Sequence, residues 1–225
     1  MIETTYHLNT PVSIALLTDL HNRPFTDIIS KVKDFSPDII AIAGDVIYGT
    51  PKYGLKKQIN VLSFFSACVS IAPTFFSLGN HEYVLCSADL DLIKGTGVIV
   101  LDNSFVQFTN DVIIGGLTSG RIKRSYAPET AWLDDFIIQP GYHILLSHHP
   151  EYIDLIPRKV DLVLSGHAHG GQIHLFGHGI YSPGQGIFPK YTHGVYDNRL
   201  VVSRGLSNTT RIPRINNPTE IVYIV

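Results

Sequence analysis

Charge is what this 225-residue chain has least of for its size: 16% of its residues are Asp, Glu, Lys or Arg, against about 25% in an ordinary globular protein. So low a share implies a large core, an apolar exterior, or both. The net charge is -2, so there is no electrostatic case for nucleic-acid binding, which needs a basic face. Cysteine is scarce as well. Cys68 and Cys86 have neither CxxC nor framework spacing, which excludes a disulfide scaffold and a thiolate zinc site. Each reads as a small buried apolar residue. The opening Met1-Ile2-Glu3-Thr4-Thr5-Tyr6 lacks a basic stretch followed by an apolar one, so no secretory leader is visible. Residues 58–80 carry no charge, yet Pro73, Asn60 and four serines interrupt them, and their apolar positions divide into a helical half and a strand half. No transmembrane segment is expected. The expected location is cytoplasmic, with peripheral membrane contact left open.

Histidine, by contrast, is plentiful, with eleven in the chain. Buried-type strands are read at 12–17, 38–43, 74–78, 142–146 and 160–164, and helices at 24–35, 54–71, 87–94 and 128–136. Shorter β-rich pieces are read at 98–101, 105–108, 112–114, 200–203 and 221–225, with a short helix at 151–156. No repeat, low-complexity tract or linker divides the chain, so residues 1–225 are expected to form one domain. The first half alternates β and α and the second is richer in β, which points to an α/β layered sandwich.

Five strand ends carry metal-type residues: Asp19-Leu20-His21, Gly44-Asp45, Gly79-Asn80-His81-Glu82, His148-His149 and Gly166-His167-Ala168-His169. The carboxyl ends of strands in open α/β sheets gather on one edge, so loops 150 residues apart in sequence would converge. Any one of these loops alone is more often an ordinary turn; five in succession are not. Carboxylates, an asparagine oxygen and imidazoles without thiolate suit manganese, iron or zinc in a mixed oxygen and nitrogen site. About seven candidates are too many for one ion and appropriate for two, and Asp45 is the natural bridge. Paired ions about 3.5–4 Å apart generate hydroxide at neutral pH and stabilise the attacking and leaving oxygens. That is machinery for hydrolysis, most often of phosphate esters.

In order and spacing, these five loops, with Leu146-Ser147-His148-His149-Pro150 as the fourth block, resemble the calcineurin-like metallophosphoesterase superfamily. The resemblance runs over most of the chain and implies a four-layer αββα sandwich of two mixed β-sheets, with the metal site at strand C-terminal ends. It implies that Asp19, His21 and His169 hold a first ion, that Asn80, His148 and His167 hold a second, and that Asp45 bridges them. A metal-bridging hydroxide would attack phosphorus, Asn80 and the ions would stabilise the transition state, and His81 would protonate the leaving oxygen. Glu82 would orient its loop or His81. The family pattern Leu-x-His-x-Pro selects His148, with His149 as the alternative.

The stretches Gly170-Gly171-Gln172-Ile173, Ser203-Arg204-Gly205-Leu206 and Arg214-Ile215-Asn216-Asn217-Pro218 look like the bacterial YkuE/YaeI-type phosphoesterases. The implied activity is a metal-dependent phosphoesterase, with phosphodiesters preferred, acting on a small-molecule or lipid-linked substrate. A pyrophosphatase on a UDP-linked lipid precursor of the UDP-diacylglucosamine type is the alternative, and a non-enzymatic scaffold with this fold is a third reading.

Other residues admit two readings each. Asn22 and Arg23 either touch substrate phosphate or belong to ordinary loop chemistry. Among Arg204, Arg211 and Arg214, one is a candidate for bidentate phosphate contact, the alternative being a structural or solvated role. His174, His178 and His193 read as surface or supporting residues. Phe176, Tyr181, Phe188 and Tyr191 form either an apolar wall beside the site or a packed cover over the sheet edge.

Overall fold

A computed structural model describes residues 1–49, 55–120, 127–175, 177–208 and 212–225. In chain order the strands and helices are β1 Ile2–Tyr6, β2 Ile14–Leu17, α1 Thr26–Phe35, β3 Ile39–Ala43, α2 Val61–Val69, β4 Thr74–Ser77, α3 Ser87–Lys94, β5 Ile99–Leu101, β6 Ser104–Thr109 and β7 Val112–Leu117. They continue with α4 Leu133–Ile137, β8 Tyr142–Ser147, β9 Leu162–Ser165, the two-residue strands β10 His174–Leu175, β11 His178–Gly179, β12 Tyr181–Ser182 and β13 Gly186–Ile187, then β14 Gly194–Tyr196, β15 Leu200–Val202 and β16 Glu220–Ile224.

The strands form two six-stranded mixed sheets, ordered β1-β16-β2-β3-β4-β5 and β14-β15-β9-β8-β7-β6. Strands β2 to β5 run parallel, as do β7, β8, β9 and β15. Such strands are covered on both faces, which explains why β2, β3 and β4 are buried at every position and read as unbroken apolar runs rather than alternating ones. Alternate residues nevertheless go to different cores. Ile14, Leu16, Ile39, Ala41 and Phe75 pack between the sheets against Ile114, Ile144, Leu146, Leu162 and Leu164. Ala15, Leu17, Ile40, Ile42 and Phe76 face outward to Ile28 and Val32 of α1 and Phe64 and Phe65 of α2. A third cluster joins Ile113, Leu145 and Val163 to Leu133, Phe136 and Tyr152. Three apolar layers make a four-layer sandwich. The low charged fraction therefore serves the interior.

Several boundaries differ from the sequence reading. The helix expected at 54–71 is a 3-10 turn at Leu55–Lys57 followed by α2, which begins only at Val61. Asn60 sets that start: its backbone N–H donates to Asn22 Oδ1 at 3.0 Å and its side-chain amide to Asn22 O at 2.8 Å. Ile59, expected on the packed face, is 81% exposed. Helix α4 is shorter than 128–136, with Pro128 in the irregular stretch before it. The helix expected at 151–156 is a 3-10 run, Pro150–Leu155, entered on Pro150. Strands β1 and β14 and the four short strands between His174 and Ile187 are absent from the sequence reading. Cys68 is buried, but Cys86 is exposed, because it stands just before α3, where its N–H donates to Asp89 Oδ2 at 3.1 Å. No helix of the described residues is long and apolar enough to cross a membrane.

Candidate metal centre

The five loops leave the ends of β2, β3, β4, β8 and β9, and side chains from all five are drawn to one edge of the sandwich. Asp19, His21 and His169 form one group of potential ligand atoms within 4.8 Å of one another, and Asp45, His148 and His167 form a second. Asp45 also belongs to a group with His21 and His81, which places it between the two. Its Oδ2 lies 3.1 Å from His148 Nε2 and 3.9 Å from His21 Nε2, while Asp19 Oδ1 lies 3.7 Å from His21 Nε2 and 3.6 Å from His169 Nε2. His149, the alternative at its block, belongs to a further group with Glu151 and His167. Its Nδ1 lies 3.2 Å from Glu151 Oε1 and its Nε2 is 2.8 Å from Ser119 Oγ.

The backbone at these residues is unusual. Asp19, His21, Asp45, His167 and His169 all have φ between 47° and 64°, the left-handed region that costs about 1–2 kcal/mol for a residue bearing a Cβ. Such conformations persist where surrounding structure over-determines them, and they concentrate at working sites. Small residues let the loops close. At Gly44 (φ +84°) a Cβ would lie 2.7 Å from both the Gly79 Cα and His148 Nδ1, and at Gly79 it would run into the Asp45 carboxylate.

Two of the rings are oriented by a carbonyl. His148 Nδ1 is 2.7 Å from Ala43 O, across the two sheets, and His21 Nδ1 is 3.1 Å from Ile47 O. Donating Nδ1–H to a carbonyl leaves the Nε2 lone pair of a neutral ring free and aimed, the usual second contact of a metal-binding histidine. Burial opposes ionisation of Asp19 and Asp45, yet the neighbouring imidazoles hold both carboxyls below the ordinary carboxylate range: His169, His21 and His148 for Asp19, and His148, His81 and His21 for Asp45. Burial also works against charge on His148, but Asp45, Asp19 and the Ala43 carbonyl lift it to about 10. His169 is pushed down to about 4 by burial, with His21 and Arg214 adding to it, and His167 is lowered by burial and by His149 and His148.

The family fold implies divalent ions, and the donors present fit them. Asp19 Oδ1, His21 Nε2, Asn80 Oδ1 and His148 Nε2 are all buried without a hydrogen-bond partner. A buried polar atom left so costs about 1–3 kcal/mol, and four of them on adjacent loops are what a cation would satisfy.

Glu82 has a different task. Its carboxylate is buried and accepts backbone N–H bonds from Asp45 (2.9 Å) and Gly79 (2.8 Å) at Oε2, and from Val46 (2.9 Å) and Ile47 (3.3 Å) at Oε1. It ties the Asp45 loop to the Asn80 loop. Burial and the charge of Asp45 raise its carboxyl to about 7.

A second brace, outside the five loops, was missed in the sequence because most of its contacts are to backbone. Ser207 Oγ donates to Asp19 O at 2.9 Å, and Asn217 Nδ2 donates to His169 O at 2.8 Å. Arg214 Nη2 donates to Arg204 O (2.7 Å) and Ser207 O (2.6 Å) and lies 3.3 Å from His169 Nδ1. Arg214 thus supports the His169 loop from behind. Arg204 packs against His174 and Asn217 and pairs with Glu220 at 3.8 Å. Arg211 and Phe176 lie outside the described residues. Asn22 is committed to Asn60, and Arg23 is exposed beside His21 in a pocket shared with Tyr48. His174 is buried with its Nε2 on Gly170 O, and His178 is exposed. Tyr191 packs in the third apolar cluster, whereas Phe188 is exposed, so the aromatics of this region form no single wall.

Two sheets face to face, with carboxylates and imidazoles gathered at their strand ends, make an α/β sandwich with a candidate metal centre at one edge. Residues 12–171 match the family Calcineurin-like phosphoesterase, and the chain belongs to that family. It is 35% identical to the "Uncharacterized metallophosphoesterase Cj0846" of Campylobacter jejuni, an alignment covering 97% of this chain and 60% of that protein. It is 29% identical to YpbG of Bacillus subtilis over 90% of this chain and 76% of that one, and 28% identical to "Phosphodiesterase YaeI" of Escherichia coli over 72% and 62%. The chain therefore spans about three fifths of the length of the Campylobacter relative.

Proposed function

We propose that the protein is a dinuclear metal-dependent phosphoesterase that prefers phosphodiesters. The observation that carries this reading is the set of orphaned, buried donor atoms on Asp19, His21, Asn80 and His148, gathered around the Asp45 carboxylate. Asp19, His21 and His169 would hold one ion, Asn80, His148 and His167 the other, and Asp45 both. Two such ions, when bound, supply Lewis acidity to the attacking and leaving oxygens of an in-line displacement. The name of the Escherichia coli relative, a phosphodiesterase, supports the preference among esters.

His81 would move the proton. Its Nδ1 accepts the Gly49 N–H at 2.8 Å, so the neutral ring carries its hydrogen on Nε2. That atom lies 3.8 Å from Asp45 Oδ2, at the edge of the centre. Burial, reinforced by His21 and His148, lowers the ring's basicity, with Asp45 acting against them. As the imidazolium, His81 would give its Nε2 proton to a departing oxygen and return to the neutral ring, a contribution worth about 10²–10⁴ in rate. Manganese-supplemented protein should hydrolyse bis-p-nitrophenyl phosphate, and His81→Ala should lower kcat by about that factor. Equal rates for the two proteins, or no turnover with any divalent metal, would overturn the assignment.

The C-terminal brace yields a second expectation. Arg214→Ala removes the support behind His169 without touching Asn80, His148 or His167. It should weaken one ion of the pair by about 10–100-fold, as loss of a residue that orients a ligand does, and leave the other unchanged. Calorimetric titration with manganese would show two equal steps becoming unequal. Two unchanged steps would mean that the Arg214 contacts serve the fold alone.

A further inference from the structure

Beside the metal centre, the segment from His174 to Ile187 folds into two small antiparallel hairpins, β10–β11 and β12–β13. Three of the large apolar side chains most exposed in the described structure lie on it or directly after it: Leu175 at 55%, Ile187 at 71% and Phe188 at 78%. Ile59 and Ile138 are comparably exposed but stand singly, as surface hydrophobics ordinarily do. Phe188 is not loose. Its N–H donates to Ile180 O at 2.9 Å, and it holds a φ of 54°, a left-handed conformation uncommon for an aromatic residue. The backbone fixes the ring outward.

The β10–β11 hairpin, the segment after β13 and strand β14 line a pocket of ≈ 630 Å³. His178, Lys190, His193 and Arg204 line it, with hydroxyl-bearing Thr192 and Tyr196, and among the described residues its lining includes no carboxylate. Glu220, the partner of Arg204, is buried behind it. The His193 ring stacks on His174 with centroids 4.7 Å apart, and the Lys190 ammonium rests 4.7 Å above the Tyr191 ring. Exposed Ile187 and Phe188 run directly into Pro189 and Lys190 of this lining, and apolar tips next to basic groups match the boundary between anionic headgroups and acyl chains.

We propose that this face docks onto an anionic phospholipid membrane, with Ile187 and Phe188 entering the acyl boundary and the Lys190–His193–Arg204 pocket receiving a headgroup phosphate. The turn of the β12–β13 hairpin approaches the metal centre: a Cβ on Gly184 would lie 3.2 Å from His167 Nε2. A docked membrane would thus lie alongside the site and present substrates from its surface. The docking itself does not depend on the phosphoesterase reading, because it is measured without turnover.

The test is co-sedimentation of the full chain with phosphatidylcholine vesicles, with and without phosphatidylglycerol. Binding should require phosphatidylglycerol and weaken as salt is raised, since exposed charges are screened. Lys190→Ala should lower partitioning about fivefold, and Ile187→Ser with Phe188→Ser at least about tenfold. All three positions are exposed, so thermal melts of the variants should match the wild type, and Ile59→Ser should bind as the wild type does. Equal binding to both vesicle types, or unaltered binding by the variants, would overturn the proposal. So would inorganic phosphate shifting the His193 resonances of a protein that ignores vesicles, which would mark a soluble-anion pocket instead. Variant-sensitive pull-down of a soluble acidic protein without vesicle binding would also overturn it.

Discussion

Asp45→Asn should lower phosphodiester turnover by roughly three orders of magnitude and bring the bound metal below two ions per chain. Among the described residues Asp45 is the carboxylate shared between the clusters, near His148, His21 and His81 at 3.1, 3.9 and 3.8 Å. Asparagine preserves its shape, and Oδ1 can still accept the His81 N–H that Asp45 takes at 2.8 Å. What it loses is the charge and the second anionic oxygen. Without them the two imidazole groups no longer share an anchor, and the Lewis acidity given to both reacting oxygens, worth several kcal/mol, goes with it. Each 1.36 kcal/mol is a factor of ten in rate. Elemental analysis alongside turnover would check this. Two ions per chain with turnover within tenfold of wild type would show that Asp45 is not the shared anchor.

The sequence made the centre legible because its chemistry lies in residue types at strand ends, and strand ends are easy to read when the strands are buried on both faces. Ile39 to Ala43 is apolar throughout and then meets Gly44-Asp45, so both the strand and the site residue show in one stretch. His148 and His149 have different surroundings in space, which the sequence does not show. His148 reaches Ala43 O across the sheets, and His149 is held by Ser119 and Glu151. Nothing in the His-His dipeptide tells these apart except position.

Residues that act through backbone atoms were hardest to read. Ser207 and Asn217 reach carbonyl oxygens of Asp19 and His169 from the C-terminal segment, and a serine or asparagine has no type signature for that work. Arg214 was noticed as a phosphate-binding candidate, but its Nη2 is committed to two carbonyls. The hairpins between His174 and Ile187 escaped because two-residue strands carry no periodicity to detect. Cys86 was misjudged for a related reason. Burial was inferred from residue type, whereas its place before α3 is set by the Asp89 carboxylate.

The largest loss of stability should come from Glu82→Ala, at a residue that neither belongs to the metal clusters nor sits in an apolar core. Truncation would orphan the N–H groups of Asp45, Val46, Ile47 and Gly79 in a region closed to water. An unpaired buried donor costs about 1–3 kcal/mol, so four would cost at least about 4 kcal/mol. For a chain of this size that is a fall in Tm of roughly 10 °C. Glu82→Gln separates geometry from charge. One oxygen can still accept two of the four bonds, but the amide NH2 then faces the other two donors, so glutamine should fall between wild type and alanine. Because these bonds join the Asp45 and Asn80 loops whether or not ions are bound, the loss should persist in chelator-treated protein. Thermal melts of the three proteins with and without chelator would decide it. A deficit that vanishes on chelation would mean that Glu82 acts through the ions rather than by joining the loops.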